Sequence, residues 1–208
     1  MTTPPASPSS PAQPMHVPAF FVHQKVTMMV NRYEILEARP DGTEGALLAF
    51  AQQRRLAFKE QVTFYADRDE NRALFSFQAR KVMDLGSGYD VLDGSGQPIG
   101  FFRKQFGKSL LRSSWEVSGR GLEALGTERR QSVAVLRRVW DFLPVVGDVP
   151  VPFVFHFDFR DAATGELVMT DERKVSVRDR YTVTVPDRRL DFRVAASLAV
   201  ALDALQSR

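Results

Sequence analysis

The sequence predicts a mainly β protein, a closed antiparallel barrel of about twelve strands that encloses a hydrophobic C-terminal helix. Three features predict it: short runs of alternating apolar residues recur, strand pairs repeat along the chain, and the final stretch from Leu190 to Leu205 is apolar on nearly every side. A helix that is apolar all round must be buried. A closed sheet around this helix would bury it.

The composition limits the possible classes of protein. The 208 residues include no cysteine, which excludes disulfides, thiolate zinc sites and a cysteine nucleophile. Residues 1–18 are rich in Pro, Ser, Thr and Ala, so we predict a disordered tail there and a single barrel domain over 19–208. The start of the chain has neither the basic nor the apolar run of a secretory signal, and we expect a cytoplasmic protein.

The first strand signal begins at Phe20, where apolar and polar residues alternate as far as Val30. Similar runs follow at Arg32 to Glu37, Ala46 to Gln53, Val62 to Tyr65, Ala73 to Arg80, Tyr89 to Asp93, Ile99 to Lys104, Ser114 to Val117, Phe153 to Phe159, Leu167 to Thr170, Val175 to Val177 and Tyr181 to Val185. Asp41-Gly42 and Asp93-Gly94 are typical of the turns that separate strands.

An internal repeat organises these runs. An aromatic strand, a turn, a second strand and a basic pair follow one another from Tyr33, again from Tyr89 and more weakly from Phe157. One such unit cannot bury both faces of its strands, so repetition around one centre is a natural way to complete a core. The repeat therefore favours a closed sheet.

Two segments have helical periodicity. Residues 127–143 predict an amphipathic helix that Thr127 caps and Pro144 ends. The final helix would be about 24 Å long, and its Arg193 and Asp203 disfavour a membrane span. A sheet wall packed about 10 Å from the helix axis would close with about ten to twelve strands. The final helix therefore fits the centre of the barrel.

No catalytic constellation or cofactor motif is evident in the sequence. Gly107-Lys108-Ser109 lacks the earlier glycine of a phosphate-binding loop and follows a strand pattern. His156 and Asp158 share one strand face, but two ligands are fewer than the three or four of a typical metal site. We therefore expect a protein that is not an enzyme and that has no catalytic residues, metal site or cofactor.

A basic set in the middle of the chain is the main functional lead. Its members are Arg103, Lys104, Lys108 and Arg112 around one connection, and Arg129, Arg130, Arg137 and Arg138 on the predicted amphipathic helix. Together they form a candidate binding site for an anionic head group. The alternative is a solvated face on which Glu116, Glu123 and Glu128 balance these charges.

Several motifs resemble a known superfamily. They are Tyr89-Asp-Val-Leu-Asp, Ile99-Gly-Phe-Phe-Arg-Lys, Ser109-Leu-Leu-Arg-Ser-Ser-Trp-Glu-Val, Asp179-Arg-Tyr-Thr-Val and the closing apolar helix. These residues resemble the tubby C-terminal-like superfamily, which includes phospholipid scramblase-related and LURP-one-related proteins. The resemblance covers roughly Phe20 to Leu205 and implies a barrel of about twelve antiparallel strands around the last helix. In the tubby branch, basic residues of a surface groove bind phosphoinositides.

The chain departs from the scramblase branch in two respects. It has no cysteine to be palmitoylated, and residues 177–187 carry Arg178 and Arg180 where that branch has an acidic calcium-binding segment. Both departures argue against calcium-triggered lipid movement.

Two functions follow from these observations. The first is a non-enzymatic binding module for anionic phospholipid head groups or an acidic protein surface, in peripheral contact with a membrane and without a transmembrane span. The alternative is a soluble scaffold or protein-interaction protein with no lipid role. No motif for specific nucleic-acid recognition is present.

Overall fold

A computed structural model describes residues 15–26, 30–54, 61–80, 88–105, 114–129, 156–174 and 180–206. These residues form twelve strands and a C-terminal helix, α1 (Phe192–Gln206). The strands are β1 (Ala19–Val26), β2 (Val30–Ala38), β3 (Glu44–Arg54), β4 (Gln61–Tyr65), β5 (Ala73–Ala79), β6 (Tyr89–Asp93), β7 (Pro98–Gln105), β8 (Ser114–Gly119), β9 (Leu122–Glu128), β10 (His156–Asp161), β11 (Leu167–Lys174) and β12 (Arg180–Thr184).

Each strand pairs antiparallel with its neighbours in the chain, and β12 pairs with β1. The sheet is therefore a closed barrel with no free edge. Phe20 lies opposite Val183 where the two ends of the chain meet. The predicted fold class, a closed antiparallel barrel around a hydrophobic C-terminal helix, is confirmed.

The helix α1 fills the barrel. No residue from Val194 to Leu202 is more than 3% exposed. The ring of Phe192 packs edge-on against Phe20, with 5.3 Å between the centroids. Gly100 lets β7 approach closely, because a Cβ there would lie 2.5 Å from Val194 Cγ2. The absence of a polar face on α1 is thus explained by strands on all sides.

The internal repeat is visible in three hairpins that lie four strands apart, β2–β3, β6–β7 and β10–β11. In each turn an aspartate Oδ1 accepts a hydrogen bond from the amide two residues later, and a glycine with positive φ follows: Gly42, Gly96 and Gly165. The pairs are Asp41 with Thr43 (2.9 Å), Asp93 with Ser95 (2.9 Å) and Asp161 with Ala163 (2.8 Å). Each hairpin also contains a register shift. Three copies of one unit therefore build the barrel.

The strand β9 was not predicted. It pairs with β8 and β10, and its last two residues, Thr127 and Glu128, stand where the sequence predicts the start of an amphipathic helix. That helix start is wrong, because the backbone of Glu128 is part of the ladder with Phe157. Residues 130–143 of the predicted helix lie outside the described residues.

Other boundaries also differ from the sequence prediction. The first predicted strand ends at Val26, and β2 begins at Val30. Residues 153–155 and 175–179 lie outside the described residues, and they include the start of the predicted strand Phe153 to Phe159 and the whole of the predicted strand Val175 to Val177. The ladder between β11 and β12 extends to the pair of Lys174 and Arg180.

The end of the predicted disordered tail is hydrogen-bonded to the barrel. The Met15 amide donates to Asp191 Oδ2 at 3.3 Å, and the Met15 carbonyl accepts from the Phe192 amide at 2.7 Å. The Pro18 carbonyl accepts from the Val185 amide at 2.8 Å. The tail prediction therefore does not apply to residues 15–18, and residues 1–14 lie outside the described residues.

Candidate functional site

The described residues include three of the predicted basic residues: Arg103 and Lys104 in β7, and Arg129 directly after β9. Lys108, Arg112, Arg130, Arg137 and Arg138 lie outside the described residues. Because the sheet is an antiparallel meander, β7 ends and β8 begins at the same end of the barrel at which β9 ends and β10 begins. The topology therefore brings both connections that carry the basic set to one end of the barrel.

Arg103 lies on the outer face of β7, opposite Glu116 of β8. Its Nε is 2.9 Å and a terminal nitrogen 2.8 Å from Glu116 Oε2, and Gln105 Nε2 donates to the same oxygen at 2.9 Å. Burial acts to raise the pKa of Glu116, but the hydrogen bonds from Gln105 and Arg103 outweigh it and lower the pKa. Arg103 thus already has an acidic partner.

Arg129 is also paired with acidic residues. Its Nε is 3.0 Å from Asp158 Oδ2, and a second nitrogen donates to Asp158 Oδ1. The third nitrogen lies 3.2 Å from Glu172 Oε1. The hydrogen bond to Asp158 is the main cause that raises the pKa of the Arg129 guanidinium. These ion pairs with β10 and β11 occupy the guanidinium of Arg129. They also occupy the carboxylate of Asp158, which was considered above with His156 as a possible metal ligand.

Lys104 faces the opposite side of the sheet from Arg103. Its partner on β8 is Trp115, which is fully buried. It also lies two residues from the buried Phe102 and therefore on the same face of β7. Consecutive residues of a strand point to opposite faces, so Arg103 and Lys104 do not converge on one ligand. The structure therefore does not bring the three described residues of the basic set together.

A groove with a volume of about 650 Å³ lies on the outer face of β6, β7 and β8. Ile99 and Phe101 of β7 line it together with Ser118 of β8. Arg80 and Arg120 contribute basic side chains. The groove therefore combines apolar surface with two guanidinium groups, and we refer to it below as the β7 groove.

Arg80 is held against the aromatic ring in the β7 groove. Its guanidinium carbon lies 3.8 Å from the centroid of the Phe101 ring. Its Nε and a terminal nitrogen lie 2.9 and 2.8 Å from Asp90 Oδ1, and the hydrogen bond to Asp90 raises the pKa of Arg80. The cation–π contact and the ion pair fix both the ring and the charge.

Arg120 reaches the β7 groove from the tight turn between β8 and β9. Gly119 pairs with Leu122, so Arg120 and Gly121 are the two turn residues, with φ of 50° and 77°. Such turns prefer Asn or Gly at the first position, and a left-handed conformation costs a larger residue about 1 kcal/mol. An arginine therefore occupies this position at a conformational cost, and it lines the groove.

Sequence reasoning placed neither Arg80 nor Phe101 in a site. Arg80 ends the predicted fifth strand, and Phe101 is the outward member of the pair Phe101-Phe102. Strand alternation indicates that one of two adjacent phenylalanines must point outwards, and this signal could have identified Phe101. The contact with Arg80 depends on the pairing of distant strands. Within the described ranges, no group of three or more His, Cys, Asp or Glu is placed to hold a metal.

A closed barrel of twelve antiparallel strands with its C-terminal helix inside defines a tubby-like fold. The family model for LURP-one-related proteins matches residues 48–203, most of the chain. The protein therefore belongs to the LURP-one-related family, within the tubby-like superfamily. No curated protein matches the chain. Among the described residues, no helix combines the length and apolar character needed to cross a membrane.

Proposed function

We propose that this protein is a non-enzymatic binding module for anionic phospholipid head groups, located in the cytoplasm and in peripheral contact with a membrane. The observation that carries the proposal is the β7 groove, where apolar side chains lie beside arginines. A phospholipid at a membrane surface presents the same combination, an anionic head group beside hydrocarbon. The family membership is consistent with this function and does not define the ligand.

Different residues of the β7 groove would contact different parts of the lipid. Ile99 and Phe101 would contact its apolar part, and Arg120 would contact the phosphate with planar, charge-assisted hydrogen bonds. Arg80 keeps Phe101 in place while Asp90 neutralises its charge. In this proposal Arg120 supplies the specificity for an anion, because it lines the groove next to Ser118 and Gly119.

The remaining basic residues extend the same proposal. Arg103 lies two residues from Phe101 on the same face of β7, so it adjoins the groove. We propose that Arg103 and Arg129 exchange their carboxylate partners for lipid phosphates at the membrane, with Lys108, Arg112, Arg130, Arg137 and Arg138 as further basic contacts. Lys104 lies on the opposite face of β7 from Arg103 and is not one of these contacts in the proposal. Each basic residue near an anionic surface contributes about 1 kcal/mol, so several must act together.

Vesicle flotation tests the proposal. Phosphatidylcholine vesicles are compared with vesicles that also contain phosphatidylserine or a phosphoinositide. We expect Arg120→Asn to weaken binding to the anionic vesicles about fivefold, because it removes about 1 kcal/mol of attraction. Asn suits the left-handed turn position, so this variant should be at least as stable as the wild type. Loss of binding could then not result from unfolding.

A matched control is Arg32→Gln. Arg32 is exposed on β2, and its Nε donates to Gln52 at 2.7 Å. The closed strand order places β2 on the opposite side of the barrel from β8. The control removes the same charge and should bind anionic vesicles like the wild type. Equal recovery of the wild type on neutral and anionic vesicles at low salt would show the proposal to be wrong.

The second candidate is a soluble scaffold that binds a protein. Two observations favour it. Arg103 and Arg129 are already paired with carboxylates, and the exposed Leu125 and Leu167 flank Arg160 in cross-strand register on the outer face. A protein partner whose capture is independent of lipid and unchanged by Arg120→Asn would support this function over the first.

A further inference from the structure

A polar cluster lies inside the barrel, where the last turns of α1 meet β1, β2, β11 and β12. Its members, which we call the interior cluster, are Gln24, Tyr33, Asp171, Tyr181 and Asp203. None of them is more than 7% exposed. Most of the remaining barrel interior is apolar, so this cluster needs an explanation of its own.

The hydrogen-bond donors of the interior cluster are directed at Asp203. The Tyr33 hydroxyl donates to Asp203 Oδ2 at 3.1 Å, and the Tyr181 hydroxyl donates to Oδ1. Gln24 Nε2 donates to the Tyr33 hydroxyl at 3.3 Å. Burial, and then the charge of Asp203, raise the pKa of Tyr33, so its hydroxyl remains a donor. Both carboxyl oxygens of Asp203 thus accept a hydrogen bond from a tyrosine.

Asp171 lacks this support. Its side chain is only 3% exposed, and its Oδ1 is buried without a hydrogen-bond partner. Its cross-strand neighbours, Phe157 on β10 and Val183 on β12, are apolar. Burial raises the pKa of Asp171 well above its ordinary value, and the charges of Asp203 and Glu172 act in the same direction. An ionised Asp171 would therefore place a negative charge on a buried oxygen that has no hydrogen-bond donor.

The charged groups around Asp171 belong to four elements. They are Asp203 on α1, Tyr181 on β12, Glu172 and Arg173 on its own strand, and Glu128 of β9 on the far side of Phe157. Glu172 is on the outer face with Arg129, and the guanidinium carbon of Arg173 lies 5.7 Å from the centroid of the Tyr181 ring. Even with Arg173 nearby, Asp171 Oδ1 has no partner.

We propose that Asp171 is a buried proton-binding site: the folded protein holds a proton on this carboxyl group at neutral pH, and release of the proton destabilises the attachment of α1 to β12. In the release step the O–H bond of Asp171 breaks, the proton passes to solvent and a negative charge remains on the carboxylate. That charge lies near Asp203 and opposes the carboxylate that Tyr33 and Tyr181 hold. This site is independent of the β7 groove.

The sign of the pH effect follows from linkage. A carboxyl group whose pKa is higher in the folded than in the unfolded state stabilises the fold fully below the unfolded pKa, about 4. This stabilisation is lost as the pH rises through the folded pKa. Between the unfolded pKa and the folded pKa of Asp171, the unfolding equilibrium constant of the wild type should rise about tenfold per pH unit relative to that of Asp171→Asn. Urea denaturation at a series of pH values measures both constants.

The matched control is Glu172→Gln, one residue away on the outer face of the same strand. We expect its unfolding constant to keep the tenfold rise per pH unit, over a pH range that ends slightly lower, because the charge of Glu172 no longer raises the pKa of Asp171. Carbon-13 NMR of the wild-type Asp171 carboxyl group gives a second readout that needs no variant to fold, and we expect the protonated chemical shift at neutral pH.

Three results would overturn the proposal. The first is an Asp171 carboxyl group that is ionised at neutral pH in the NMR spectrum. The second is a pH dependence for Asp171→Asn that runs parallel to that of the wild type. The third is a wild-type stability that rises with sodium or potassium, compared with choline at equal ionic strength, and loses this rise in Asp171→Asn, because a metal cation would then occupy the site.

Discussion

Gly88 packs against two residues on the outer face of β7, Phe101 and Arg103. Its φ is 80°, in the left-handed region that favours glycine. A Cβ at this position would lie 2.6 Å from two carbons of the Phe101 ring and 2.7 Å from Arg103 Cβ. The bare backbone of Gly88 therefore allows Phe101 and Arg103 to lie side by side on the outer face.

We predict that Gly88→Ala lowers the free energy of unfolding by about 2–4 kcal/mol, because it adds a collision to the cost of the left-handed conformation. Gly42→Ala is the matched control, since Gly42 has a φ of 79° and no atom within 4 Å of its would-be Cβ. The free energy of unfolding of Gly42→Ala should fall only by the cost of the left-handed conformation, about 1 kcal/mol. Urea denaturation measures the free energy of unfolding of both variants. Equal decreases in the two variants would contradict the close contacts of Gly88.

At the same scale, the three described members of the basic set do not converge on one point. Arg103 and Lys104 are adjacent in the chain but face opposite sides of β7. Arg129 meets Asp158 and Glu172, which belong to strands later in the chain. Strand alternation could have separated Arg103 from Lys104. The pairing of Arg129 depends on the strand order, which a list of charges does not contain.

Among the elements, β9 is the clearest case of structure that periodicity did not reveal. Its inward residues are Leu122, Ala124 and Gly126, and its outward residues include the exposed Leu125. Position 126 must be a glycine here, because a Cβ at Gly126 would collide with the ring of Phe159. The neighbouring strand thus leaves no space at this position for the β-branched and aromatic residues by which strands are usually recognised.

The three repeated hairpins were easier to predict. Each turn depends on a local arrangement, an aspartate that accepts amide hydrogen bonds and a glycine with positive φ, as at Asp41-Gly42. The apolar helix α1 was recognisable because burial on all sides leaves it without a polar face. Features fixed by local chemistry or complete burial were predictable, whereas features fixed by contacts between distant strands were not.

The segment 15–18 gives a prediction at the scale of elements. Removal of residues 1–14 leaves a chain that starts at Met15 and should have the melting temperature of the full chain. Removal of residues 1–18 should lower the free energy of unfolding by about 1–3 kcal/mol, because the bonds of Met15 to Asp191 and Phe192 are lost at about 1 kcal/mol each. Calorimetry compares the two truncations. Equal melting temperatures would show that residues 15–18 do not secure the start of α1.

For the whole molecule, the barrel separates two environments. Its interior holds α1 and the interior cluster, and the outer face carries the β7 groove and the ion pairs of Arg103 and Arg129. Strand alternation keeps them apart, because neighbouring residues of a strand face opposite sides of the wall. Ligand binding on the outer face and proton binding inside can therefore be tested separately.

The central functional claim is that the outer face of β6 to β8 binds anionic lipid. The most direct measurement is amide NMR of the full chain on addition of nanodiscs with and without phosphatidylserine. Chemical-shift changes should centre on Gly88, Phe101, Ser118 and Arg120, should require the anionic lipid, and should leave β1 and β2 unchanged. Changes centred on β1 and β2, or changes of equal size with neutral nanodiscs, would contradict the claim.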